Sequence, residues 1–299
     1  MIRHLETEAT RPNRVVVLGA GGFVGQDIVR HLNESQIEVV SLSSSDVDLT
    51  KPESVERLRG MVRDGDSLVI VSAITPDKGK DVATLMRNFT MGQHVSAFLE
   101  EQKCSHVLYI SSDAVYSDDA NPVRENSCCD PNSFHGLMHL VRERLFSAAL
   151  QKIKTPYLIL RPCAIYGAQD THNSYGPNRF LREALKEHKI KLFGQGEEKR
   201  DHIYIKDLSR VAALGLLHRS QGVLNVATGN SISFFNLAEM IARLCGDDVK
   251  IEGSPRANPV THRHFDTTAI HKAFPEFEIT RLEDGISETF EEMRASIGT

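Results

Sequence analysis

The first residues with an evident chemical use are glycines: the run Gly19-Ala20-Gly21-Gly22-Phe23-Val24-Gly25 follows directly on a β-branched segment and leads into a helical pattern. Glycine tolerates positive φ and, lacking a side chain, lets an anion approach the backbone closely. The free N–H groups and partial positive charge at the start of the next helix then favour phosphate oxygens. In a strand-turn-helix setting the pattern points to the pyrophosphate of a dinucleotide, with Gly19, Gly22, Phe23, Val24 and Gly25 as cofactor contacts. The second strand ends in Ser41-Leu42-Ser43, offering neither an acid for a ribose 2′-hydroxyl nor an arginine for a 2′-phosphate. NAD and NADP therefore both remain open, with NAD favoured. Asp48 and Leu49, slightly downstream, have the types to flank an adenosine, or equally to cap a turn.

Such a loop works only where the fold holds it. Residues 15–18, 38–42, 67–71, 107–110 and 157–160 read as strands, and 22–33, 54–62, 81–102 and 133–151 as helices. Regular alternation implies right-handed βαβ crossovers and an α/β fold: a Rossmann-type, doubly wound parallel sheet with helices on both faces. Residues 1–13 read as a polar tail, 14–170 as the dinucleotide-binding domain, and 171–299 mainly as a smaller α+β substrate-binding domain. Part of 205–230 is expected to return to the first domain. Ligands of open parallel sheets bind beyond the carboxyl ends of the strands, so chemistry is expected just after strands one, four and five.

Composition removes several alternatives. The 299 residues are 40% hydrophobic and 25% charged, ordinary for a globular chain. No stretch reaches the ~18 apolar residues of a membrane span. Arg3, His4, Glu6, Glu8 and Arg11 stand where a secretory signal is apolar, so a cytoplasmic location is expected. With 35 Lys and Arg against 40 Asp and Glu, the formal charge of −5 gives no general attraction for nucleic acid. The five cysteines include no C-x-x-C pair, which argues against a disulfide framework or a zinc site.

Further motifs sit where a parallel sheet would use them. Ser111-Ser112-Asp113-Ala114-Val115-Tyr116 follows the fourth strand, while Leu160-Arg161-Pro162 and Ile165-Tyr166-Gly167 belong to the fifth. Arg200-Asp201-His202-Ile203-Tyr204-Ile205-Lys206-Asp207 lies farther on. Together with the glycine loop, Ser72-Ala73 and Asn88, these make nearly the whole chain resemble the extended short-chain dehydrogenase/reductase family. That family comprises NAD-dependent nucleotide-sugar epimerases, dehydratases and reductases. The resemblance implies cofactor contacts from Ser72, Ala73, Asn88, Ser111 and Pro162, and a homodimer built on the long helices.

The family's catalytic set is a Ser or Thr after strand four plus Tyr-x-x-x-Lys on the next helix. Ser112 matches the hydroxyl position, but the helix reads His135-Gly136-Leu137-Met138-His139, with histidine at both key places. Three readings of the pair stand. His135 replaces the tyrosine as acid/base beside Ser112, with His139 on the nicotinamide ribose. Alternatively, the chain binds cofactor and nucleotide sugar without ordinary turnover. In the third reading the histidines ligate a metal, although Gly136 stands where His-Glu-x-x-His has its general base, and no metal is expected.

The Thr-Asp-Glu of a family dehydratase is replaced by Ser112-Asp113-Ala114, which argues against dehydration and leaves epimerisation or keto-sugar reduction. Asp113 is then a second acid/base or a helix cap. A nucleoside diphosphate sugar needs local positive charge. The resemblance places Arg200 on that diphosphate, and Asn173, Arg179, Gln195 and Arg263 are further substrate candidates, with exposed loop polarity as the alternative. Tyr166 and Tyr175 are substitute proton donors, or rings packed beneath the loop.

Overall fold

Val15, Val16, Val17 and Leu18 are almost wholly buried, and their side chains divide between two cores. Val15 and Val17 join Ile28 and Leu32 on one face of the sheet, whereas Val16 and Leu18 join Leu58, Val95 and Phe146 on the other. The alternation is that of a strand covered on both sides. In this computed structural model, which describes residues 2–246, 248–256 and 259–297, the first region alternates strand and helix. Its elements are β1 (Val15–Leu18), α1 (Phe23–Glu34), β2 (Val39–Leu42), α2 (Ser54–Met61), β3 (Ser67–Ile70), α3 (Val82–Leu99), β4 (His106–Ile110), α4 (Phe134–Ile153) and β5 (Tyr157–Pro162).

Beyond β5 come β6 (Ala164–Tyr166), α5 (Pro177–Glu187), β7 (Lys189–Phe193), β8 (Lys199–Arg200), β9 (His202–Tyr204), α6 (Ile205–Leu217), β10 (Gly222–Val226) and β11 (Ile232–Ser233). They are followed by α7 (Phe234–Cys245), β12 (Lys250–Ser254), α8 (Thr268–Ala273) and α9 (Leu282–Ile297). The main sheet has six parallel strands in the order β10-β5-β4-β3-β1-β2. The strand order reverses between β1 and β3, opening a crevice at their carboxyl ends. Residues 205–226 belong to this layer, because α6 packs on α1 and β10 extends the sheet beside β5. The short pairs β7-β12, β6-β9 and β8-β11 form the second region.

One local reading of the sequence differs from the structure. The segment expected as a tail is docked: Arg3 and Gln221 exchange backbone hydrogen bonds of 2.9 and 2.8 Å, and Thr10 N–H donates to Leu217 O at 2.9 Å. On α4, Leu137, Leu140, Val141, Leu145 and Ala148 are half-buried or exposed, while Met138, His139, Arg142, Glu143 and Phe146 face inward. Hydrogen bonding holds the charged residues of α4 inward. The Glu143 carboxylate accepts from Arg161 Nε at 2.9 Å and Nη2 at 2.6 Å, and from Ser111 Oγ at 2.6 Å. Arg142 Nη1 donates to Ser72 O at 2.7 Å.

The Glu143–Arg161 pair is nearly sealed, with side-chain exposures of 3% and 5%. Removing one partner leaves an uncompensated buried charge. Glu143→Ala is therefore expected to destabilise the chain by roughly 3–5 kcal/mol, read from urea unfolding midpoints.

Candidate active site

The glycine loop is compressed to the backbone. Gly19 has a φ of 101°, in the left-handed region, and a Cβ there would lie 2.6 Å from Ser72 N. A Cβ on Gly25 would lie 2.2 Å from Gly19 O, so α1 starts pressed against the turn. Gly22, at the amino end of α1, supplies no side-chain cap, which leaves the first N–H groups free to meet an anion.

From this loop a cleft of about 720 Å³ runs along the strand ends, within the size range of small-molecule and cofactor sites. Gly19, Gly22, Phe23 and Val24 line one end with Ser43, Asp48 and Leu49; Ser111, Ser112, Asp113, His135, His139 and Pro162 line the other, and Ser72 and Ala73 lie between. Ser72 Oγ is buried without a partner, as a hydroxyl awaiting a ligand would be. Asn88 lines a neighbouring cavity instead. Its amide clamps Ile74 N–H and O, both at 2.9 Å, and so fixes the segment after β3. Ser111 spends its hydroxyl on Glu143, as above, and therefore faces the cleft as a structural residue.

At the reactive end Ser112 Oγ accepts from Ala114 N–H at 3.1 Å and starts a short 3₁₀ turn, residues 113–115. Gly136 packs α4 against that turn: a Cβ on it would lie 2.0 Å from Ala114 O. Enclosure pushes the Asp113 carboxyl up, opposed by Arg263, whose Nη1 lies 3.4 Å from Asp113 Oδ2 and donates to Asp113 O at 2.9 Å. The rings of His135 and His139 meet edge to face, 4.6 Å between centroids. His139 Nδ1 is 2.7 Å from the buried Tyr109 hydroxyl. Burial drives His135 down to about 4, and His139 is also driven far down by burial, with His135 and Arg142 adding to it. Both are uncharged imidazoles near neutral pH. Among the described residues no three His, Cys, Asp or Glu groups are arranged to hold a metal ion.

The model of the NAD dependent epimerase/dehydratase family matches residues 15–227. The chain belongs to this family. A GDP-L-fucose synthase of Sinorhizobium fredii is 26% identical over 271 aligned residues, covering 81% of this chain and 85% of the relative. The UDP-glucose 4-epimerase of Thermus thermophilus, solved with NAD, superposes with a TM-score of 0.82 at 20% identity, over 95% of this chain and 99% of that one. A GDP-L-fucose synthetase of Naegleria fowleri bound to NADP gives 0.86 at 15% identity, over 100% and 99%. Family members thus bind NAD or NADP, and the likeness of the solved structures carries the fold. No described helix is long and apolar enough to cross a membrane.

In this epimerase/dehydratase fold none of the five expected substrate residues lines the cleft, and of them Arg263 reaches its wall, at Asp113. Each is engaged elsewhere. Arg179 pairs with Glu183 at 2.8 Å, and Arg200 with Glu198 at 3.0 Å. Asn173 Oδ1 accepts from Arg182 at 3.2 Å, and Gln195 N–H donates to Glu197 in an exposed turn. Arg263 is a latch on Asp113 and on Asp118, 3.1 Å away. Tyr166 is buried and stacked on Tyr204, and Tyr175 packs among Phe180, Phe193 and Phe234. The cleft instead recruits Thr75, Pro76 and Lys78 after β3, and Asp170 and His172 after β6. No local pattern marks these; only their place after strand ends points to them.

Burial of neutral imidazoles ties stability to pH. Folding lowers His106 and His135 from 6.5 to about 4, and His202 to about 3. Between 6.5 and those values the unfolded chain binds more protons, so this stability is present above pH 6.5 and is lost as pH falls. The urea midpoint is expected to fall steadily over that interval, and the His135 ring signal to titrate near pH 4 in NMR spectra.

Proposed function

We propose that the chain is an NAD(P)-dependent enzyme that epimerises a nucleotide-activated sugar or reduces its keto form, with Ser112 and His135 exchanging the proton. The observation that carries this reading is the single cleft joining the glycine loop to Ser112, His135 and His139. The glycine loop and the start of α1 hold the pyrophosphate, and Ser72 meets the cofactor midway. A bound nicotinamide supplies the hydride acceptor and donor. Ser112 fixes the reacting hydroxyl, and His135, unprotonated at neutral pH, accepts its proton. His139, pinned through Nδ1, presents its ring to the nicotinamide ribose. Asp113, latched by Arg263, keeps the Ser112 turn in place. The names of the relatives, a GDP-L-fucose synthase and a UDP-glucose 4-epimerase, support a nucleoside diphosphate sugar as substrate.

Charge at the adenosine end supports NAD over NADP. Asp46 Oδ2 accepts from Ser43 N–H at 2.8 Å and from its hydroxyl at 2.6 Å, and Asp48 lines the same wall. Asp48 on the lining and Asp46 behind Ser43 oppose a 2′-phosphate, partly offset by Arg87, which also lines the cleft. NAD is expected to bind at least about tenfold more tightly than NADP by calorimetry.

The reaction itself is tested by turnover of UDP- and GDP-hexoses with added NAD⁺ or NADP⁺. His135→Ala is expected to lose about 100-fold in turnover while keeping cofactor affinity. Cofactor binding with no turnover in the wild-type chain overturns the catalytic assignment and leaves a binding protein on this scaffold.

A further inference from the structure

We propose that Asp77 and His172 form a proton-holding dyad across the cleft, which takes over the proton that His135 accepts. This rests on the redox reading above. His172 Nε2 lies 3.1 Å from Asp77 Oδ1, and the two come from opposite rims, the segment after β3 and the loop after β6. His172 lines the cleft whereas Asp77 does not, so the imidazole stands between the carboxylate and the bound reactants. A carboxylate behind an imidazole orients the ring and stabilises its cation.

The loop is built to hold that ring. His172 N–H donates to Asp170 Oδ1 at 2.9 Å, Asp170 Oδ2 accepts from Asn178 Nδ2 at 2.6 Å, and Asn178 Oδ1 accepts from Gly167 N–H at 3.0 Å. His135 needs such a partner. Its Nδ1 is buried without a hydrogen bond, and burial makes its cation costly, so it accepts a proton without retaining it. A charge on His172 further disfavours one on His135, so the proton rests on one ring at a time.

In the oxidising direction the sugar carbon gives hydride to the nicotinamide, and its hydroxyl gives a proton to His135 as the carbonyl forms. His135 passes that proton to His172 Nδ1 and returns to neutral, while Nε2–H stays toward Asp77. On reduction the hydride returns to carbon, and the proton retraces its path to oxygen. The charged and titratable groups around His172 are Asp77 and Lys78 after β3, His135 on α4, Asp170 on its own loop and Arg182 of α5. The Arg182 guanidinium is held by Asp170 O and Asn173 Oδ1.

The test uses the full chain and two readouts. NMR titration of the histidine rings, with the His172 signal assigned by its loss in His172→Gln, is expected to show a lower His172 midpoint in Asp77→Asn. An unmoved midpoint overturns the dyad whether or not a substrate is found. The second readout is the pH profile of nicotinamide reduction with UDP-glucose or GDP-L-fucose as probe. Protonated His172 cannot accept, so activity falls on the acid side. Asp77→Asn is expected to shift that limb to lower pH, and His172→Gln to slow turnover about 100-fold with NAD⁺ affinity unchanged. A limb that stays put, or a His172→Gln chain as fast as wild type, overturns the proposal. Failure of the redox reading shows separately, as a wild-type chain that binds NAD⁺ or NADP⁺ without turnover or binds neither, while the His172 titration still decides the dyad.

Discussion

The reactive end of the cleft hangs from one buried carboxylate. Glu143 reaches from α4 to Ser111 at the end of β4 and to Arg161 on β5, so three neighbouring elements share one set of charge-assisted hydrogen bonds. Arg161 in turn lies over the Tyr116 ring, 4.8 Å from its centroid, just beyond the Ser112 turn. Ser112 is thus fixed from below by Glu143 through Ser111. It is fixed from the side by Gly136, whose missing side chain lets α4 approach the Ala114 carbonyl, and from the second region by Arg263. His135 and His139 stand on the same helix as Glu143. Their position relative to Ser112 is therefore set by the same bonds.

The parts read correctly from sequence were those encoded within a few consecutive residues. Buried β-branched runs separated by helical periods predict parallel crossovers because both faces of such a sheet must be covered. The glycine loop was legible because a left-handed residue at Gly19 and close packing at Gly25 each demand glycine locally. The inward face of α4 is not legible, because the apolar spacing of Leu137, Leu140 and Leu145 fits a sheet contact and a surface between subunits equally. What buries Arg142 and Glu143 instead is partners on β5, the end of β4 and the segment after β3, distant in sequence.

The arginines expected at the substrate are each paired within the protein, for a related reason. A guanidinium seeks a carboxylate, and the sequence does not tell whether a substrate or a neighbour supplies it. Arg179 and Arg200 find glutamates four and two residues away, whereas Arg263 finds Asp113 across the boundary between the two regions. That last contact joins the segment bearing Arg263 to the turn that presents Ser112. His172 and Asp77 carry no local sequence signal for the opposite reason, since each lies in a polar loop whose partner is on the other rim.

Division of labour among the charges follows from burial. Arg142 is fully buried, with Nη1 on Ser72 O and its plane against the Tyr109 and Phe146 rings. Among the described residues no carboxylate lies within ion-pair reach of it. A guanidinium keeps its charge where an imidazole sheds it, so positive potential beneath the cleft is carried by a group that takes no part in proton movement. That potential helps hold His139 uncharged, and through the Ser72 carbonyl it supports the segment facing the glycine loop. His135 and His139, proposed to handle the proton and the ribose, stand on the same helix as this fixed charge. In the proposed reading, the favourable field for an anionic dinucleotide comes from the free N–H groups at the start of α1, the buried Arg142, and Lys78 and Arg87 on the cleft lining.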